Sequence, residues 1–275
     1  MIAYLDTEAF DHIYKKIGCT GADIANLRKA IYGRQLSIRL SIHTLEEILL
    51  ARKISPQTFA AQIKLTLSLA SSRTLVKPCA QLLLDDIRSY AAQGAAVRPF
   101  LRGDVQNAIA EGIATLIESD GEEMEEDFLA VLDDARQEKH RLIALLERAR
   151  KTAEAVAKPP TGWANLADYF DAASLPMLEV MAEETGTADA CRQRGLSGLL
   201  GIKSLRMSLC TAIAPDFEQL SSGAMKSGAI HHSVSAAAVA EAYISDTAVS
   251  HSLRQLPIGD LKISSLSEFL KLSST

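Results

Sequence analysis

The chain opens on a short apolar run, Ile2-Ala3-Tyr4-Leu5, that stops at a carboxylate, Asp6, with Thr7 behind it. Such a run reads as a leading strand, and in open α/β sheets ligands and metals sit beyond the carboxyl ends of the strands. Asp6 is therefore either a site residue or the cap of the helix that follows. From Glu8 to about Ile17 the apolar residues Phe10, Ile13, Tyr14 and Ile17 recur at helical spacing. Gly18 and Gly21 break this helix, and a second runs from about Ala22 to Ile31. Gln35 to Ser41 alternates polar and apolar as a strand does, and His43-Thr44 opens a helix carrying Glu46 and Glu47. Two strands separated by helices imply a parallel pair joined by a crossover.

From Ser55 to about Ala157 the pattern shows no strand. Phe59, Ile63, Leu67 and Ala70 keep helical period through 56–76, and Leu82 to Ile87 repeats it. A further helix carries Ile109, Ile113, Leu116 and Ile117. The acidic block 118–127 lacks EF-hand spacing and reads as a solvated face at a helix start. The long amphipathic helix after it buries Phe128, Val131, Leu132, Leu142, Leu145 and Leu146. Arg136, Lys139, Arg141, Arg148, Arg150 and Lys151 form its polar face. Lys158-Pro159-Pro160-Thr161-Gly162 is a short connector, with Trp163 as its anchor. Two helical segments, 164–172 and 175–185, come next. Gly195, Gly198 and Gly201 match neither GxGxxG nor a P-loop, and Lys203, Arg206 and Lys226 make a modest basic grouping.

The last segment returns to α/β. An Ala-rich helix, Ala229 to Ala240, precedes a strand over 241–245 that ends at Asp246-Thr247, as the first ends at Asp6-Thr7. A helix from Ala248 to Leu256, a strand at Leu261 to Ser264 and a closing helix from Ser267 to Leu272 complete the chain.

With 275 residues, 48% hydrophobic and 23% charged, the chain can bury a sizeable core. A net charge of −5 gives no general basic footprint for nucleic acid. No stretch approaches the ~20 apolar residues that span a bilayer, and Met1 leads into a strand without the organisation of a signal peptide. Cys19, Cys79, Cys191 and Cys210 are scattered, as reduced thiols of a cytoplasmic protein would be.

Parallel strands share one carboxyl edge, so Asp6, Glu47 (or Glu46) and Asp246 can converge there. Such a cluster suits Mg²⁺ or Mn²⁺, hard ions that prefer oxygen and activate water against phosphates. The stretches Tyr4 to Thr7, Ser41 to Leu49, Ala240 to Asp246, Leu253 to Pro257 and Ile263 to Leu270 resemble the PIN-domain family of metal-dependent ribonucleases. The resemblance implies an α/β fold, a PIN-like parallel sheet flanked by helices. One domain would form from residues 1–54 and about 200–275, with a large all-helical insertion over about 55–199.

It further implies that Asp6, Glu47 and Asp246 are catalytic and hold Mg²⁺ or Mn²⁺, with Glu46 or Thr247 in register one residue away. The substrate would be RNA, the partner an antitoxin or other protein, or a second copy of the chain, and the role that of a toxin-like or stress nuclease. No membrane association is implied. The family's third acid opens the Ala-rich helix, yet Ser227-Gly228-Ala229-Ile230-His231-His232-Ser233 contains no carboxylate. His231 and His232 read as surface or capping residues, or one of them as a replacement ligand. Asp216 and Glu218 could reach the site from a loop. Glu46 and Glu47 could instead complement the helix dipole, and Asp246 cap the next helix. A PIN-like module that has lost cleavage and binds a partner or nucleic acid is the alternative that the missing acid and the acidic charge favour.

Overall fold

The computed structural model describes residues 1–49, 55–70, 74–156, 166–214, 227–245 and 247–272. Five strands form one parallel sheet: β1 (Ile2–Leu5), β2 (Ser37–Ser41), β3 (Leu75–Val76), β4 (Ala242–Ser245) and β5 (Lys262–Ser265), in the order β3-β2-β1-β4-β5. The first strand is thus central. The chain moves outward from β1 through β2 to β3, then returns to β1's other side with β4. That reversal makes the carboxyl ends of β1 and β4 the topological switch point, where open α/β sheets bind ligands.

Period-two alternation divides the core into two layers. Ala3, Leu5, Ile38, Leu40, Ala242 and Ile244 face one layer. There they meet α1 (Thr7–Lys15), α2 (Gly21–Tyr32), α3 (Ile42–Leu49), α4 (Pro56–Leu69), α6 (Gly103–Glu118) and α13 (Leu266–Leu272). Tyr4, Tyr243 and Ile263 face the other. That layer is built from α5 (Cys79–Gln93), α8 (Leu166–Glu184), α9 (Ala188–Arg194), α10 (Lys203–Ile213), α11 (Ser227–Val239) and α12 (Thr247–Leu253).

One helix belongs to both layers. α7 (Glu126–Val156) is 31 residues long, about 46 Å at 1.5 Å per residue. Its Phe128, Leu132 and Ala135 pack in the first layer, and its Leu142, Leu145, Leu146, Ala149 and Ala153 in the second. Arg136 and Lys139 fall where the helix passes from one layer to the other.

Three expectations change. The middle of the chain is not all-helical, because Leu75–Val76 pairs with Leu40 and Ser41 as β3. Two residues are too few to show a strand period, and the pairing rests on a partner far away in sequence. The helix expected over 56–76 accordingly ends at Leu69. The two segments expected at 164–172 and 175–185 are one helix, α8, with Pro176 inside it. Phe170, Ala173, Met177 and Met181 are buried on both sides of the proline, which offsets the hydrogen bond it removes. The acidic residues of 118–127 are exposed, as a solvated face should be. The connector 158–162 and Trp163 lie outside the described residues.

α7 can lie against α6 because of Gly112. A Cβ there would stand 2.3 Å from the Phe128 Cβ. Ala is otherwise the better helix former by about 1 kcal/mol, so Gly112→Ala separates propensity from packing. We expect it to destabilise the protein by about 1–3 kcal/mol in urea unfolding, the usual cost of overpacking. A stabilised variant would show that α6 and α7 are not held this close.

Candidate functional site

Asp6 ends β1, and its carboxylate is buried. It is also the N-cap of α1, since its Oδ1 accepts from the Ala9 amide at 2.8 Å. Strand-tip position and capping therefore coincide in one residue. Its Oδ2 accepts from Ser245, at the end of β4, and from the Tyr243 hydroxyl at 3.3 Å. Burial pushes the Asp6 carboxyl up from its ordinary value, while His232 and these donors pull it back.

Glu46 and Glu47 lie in the second turn of α3, which begins at Ile42, so neither complements the dipole of its first turn. Both meet Lys139, whose ammonium donates to Glu46 and, at 2.7 Å, to Glu47. Arg136, one turn earlier on α7, donates to Glu46 at 3.1 Å. The side chains of Glu46, Lys139 and Glu47 are 4%, 13% and 20% exposed. Glu47's other oxygen faces His232 Nε2 at 2.8 Å. Burial would raise the Glu47 carboxyl, yet His232 and Lys139 overcome it and hold it well below the usual range.

Because Glu47 only accepts, His232 Nε2 carries a proton toward it, and His232 Nδ1 lies 2.7 Å from the Tyr4 hydroxyl. The Tyr4 hydroxyl also shares a hydrogen bond with the Ser41 hydroxyl at 2.7 Å. Thr7 stands 3.1 Å from His232 Nε2. A single chain of polar contacts thus runs from Ser41 through Tyr4, His232, Glu47 and Lys139 to Glu46 and Arg136. Beside it, the Cys79 amide donates to His43 Nε2 at 3.0 Å, and Cys79 Sγ lies 3.2 Å from His231 Nδ1. Burial pushes the Cys79 thiol up. It pushes both imidazoles down, His43 far below its ordinary value and His231 to about 3, with Lys139 and neighbouring histidines adding to the effect.

His231 and His232 are therefore not surface or capping residues; both are buried. Being adjacent on α11 they point apart, one to the Cys79 pocket and one to Glu47. Lys139 and Arg136 are the site residues that the sequence reading missed. Helical period marked them as polar but could not show that they turn inward to carboxylates about 90 positions away. Arg206 stacks over Phe170 at 5.3 Å and donates to the Pro257 carbonyl. Asp246, the Thr247 side chain, Asp216, Glu218 and Lys226 lie outside the described residues.

Asp6 and Glu47 lie on one edge, joined through Thr7 and His232. Among the described residues, these carboxylates already have protein partners. Both oxygens of Glu46 and both of Glu47 are taken by protein donors, and Asp6 is held on each oxygen by an amide or a hydroxyl. Among the described residues no three His, Cys, Asp or Glu side chains are grouped to hold a metal ion. No helix there is long and apolar enough to cross a membrane. Comparison of the chain with protein-family models, with curated proteins and with solved structures found no match.

The depressed imidazoles make a pH prediction. Below about pH 6.5 an unfolded histidine binds a proton that His231, neutral down to about 3, does not. The unfolded state then binds more protons, so stability falls as pH falls. For His231 this is about 2 kcal/mol between pH 7 and 5. Urea denaturation at both pH values should show this loss, and His231→Asn should reduce it. An unchanged slope in the variant would mean that His231 is not buried neutral.

Proposed function

We propose that the chain is a PIN-like α/β module that works by binding a protein or nucleic-acid partner and does not cleave RNA. The observation that carries this reading is Glu47, the acid matched to the family's second, with one oxygen on Lys139 and the other on His232. A carboxylate with both oxygens engaged by its own protein has little left to offset the dehydration of Mg²⁺. The stretch that opens α11, where the family supplies another acid, supports the same reading, because Ser227 to Ser233 contains no carboxylate.

A second reading keeps the enzyme. In it Asp6, Glu47 and Asp246 hold Mg²⁺ or Mn²⁺, the substrate is RNA, and a protein partner such as an antitoxin restrains cleavage. It is favoured by one contact: Ser245, the residue before Asp246, donates to Asp6 at the switch point.

Labelled single-stranded RNA incubated with the protein and Mn²⁺ separates the two. We expect intact RNA with the wild type and with Asp6→Asn alike. Cleavage by the wild type that disappears in Asp6→Asn would overturn the non-cleaving reading and establish the enzyme.

A further inference from the structure

We propose that Lys139 is a resident cation, delivered by α7 between Glu46 and Glu47, where it serves these acids in place of a divalent ion, with α7 as a strap lying over them. The inference deepens the non-cleaving reading and rests on it. Three observations lead to it. The ammonium is the only group that touches both glutamates among the described contacts, and it does so from a nearly buried position. The glutamates are neighbours on one short helix, one buried and one largely so, and carboxylates this close repel unless a counter-charge lies between them. The strap is also anchored on both sides, since α7 packs in one layer before Arg136 and in the other after Lys139. Helix packing thus holds the ammonium in position, and Arg136, which grips Glu46 one turn earlier, fixes its register.

A lysine in this place is a single charge with three donors, whereas a divalent ion carries two charges and needs several oxygens. Lys139 satisfies the glutamates without drawing in Asp6, which is left to its hydroxyl and amide donors. That accounts for an acid edge in which each described carboxylate has protein partners and Asp6 shares none of them with the glutamates.

The test is thermal unfolding of the full chain in EDTA and in millimolar MnCl₂, for the wild type and for Lys139→Met, which keeps the methylene packing and removes the charge. The wild type should unfold at the same temperature in both. Lys139→Met should lose about 5–10 °C in EDTA and regain a good part of it with Mn²⁺. Three results would overturn the proposal: a wild-type Tm that Mn²⁺ raises as much as the variant's, a variant as stable as the wild type in EDTA, or a destabilised variant indifferent to Mn²⁺. Should Lys139→Met fail to fold, the variant that also carries Glu46→Gln and Glu47→Gln decides the matter. It should fold and ignore Mn²⁺, and failure to fold there would show that the lysine's role is not electrostatic. No RNA enters this experiment, so cleavage in the assay above would refute the non-cleaving reading without producing any of these results.

Discussion

Two glutamates side by side on a short buried helix are unfavourable unless a cation lies between them, and in this molecule Lys139 supplies it. Breaking such a pair costs about 3–5 kcal/mol, because the surviving charge stays buried without compensation. The ammonium comes from α7, so α7 must cross the sheet's edge at one register for α3 to keep both acids. The packing of Phe128 against Gly112 at one end and of Leu142 to Ala153 at the other serves this crossing. Charge pairing and core packing are thus one constraint on where α7 lies against α3.

The same polar chain ties the sheet to the helices above it. Tyr4 and Tyr243 point into the layer opposite Ala3 and Leu5, where a phenol buried without a partner would be costly. Tyr4 finds Ser41 and His232, and Tyr243 finds Asp6. Each hydroxyl therefore links a central strand to the end of another strand or to α11. An edge built this way resists a change in any one member, as half-satisfied buried networks are worse than apolar packing.

Much of the framework could be read from the residues alone. Ile2–Leu5, Ser37–Ser41, Ala242–Ser245 and Lys262–Ser265 carry apolar runs or alternation bounded by polar ends, and a parallel α/β sheet follows from helices lying between them. Asp6 was legible as a strand-tip acid and equally as a cap, and it proved to be both. Leu75–Val76 was not legible, because a strand of two residues has no period and exists only through β2. Pro176 misled, since local propensity favours a break that burial on both flanks overrides. Lys139 showed its helix face but not its partners, for pairing across about 90 residues leaves no mark on local pattern. The histidines were visible as a pair, yet their burial depends on β1, α3 and α5 closing around α11.

The account rests on the coupling between Lys139 and Glu47, and a double-mutant cycle measures it most directly. Urea unfolding of the wild type, Lys139→Met, Glu47→Gln and the double variant isolates their interaction energy. The account predicts a favourable coupling of about 1.5–3 kcal/mol, with the double variant more stable than the sum of the single losses allows. Strictly additive losses would contradict it, for they would mean that the ammonium and the carboxylate lie near each other without holding the edge together.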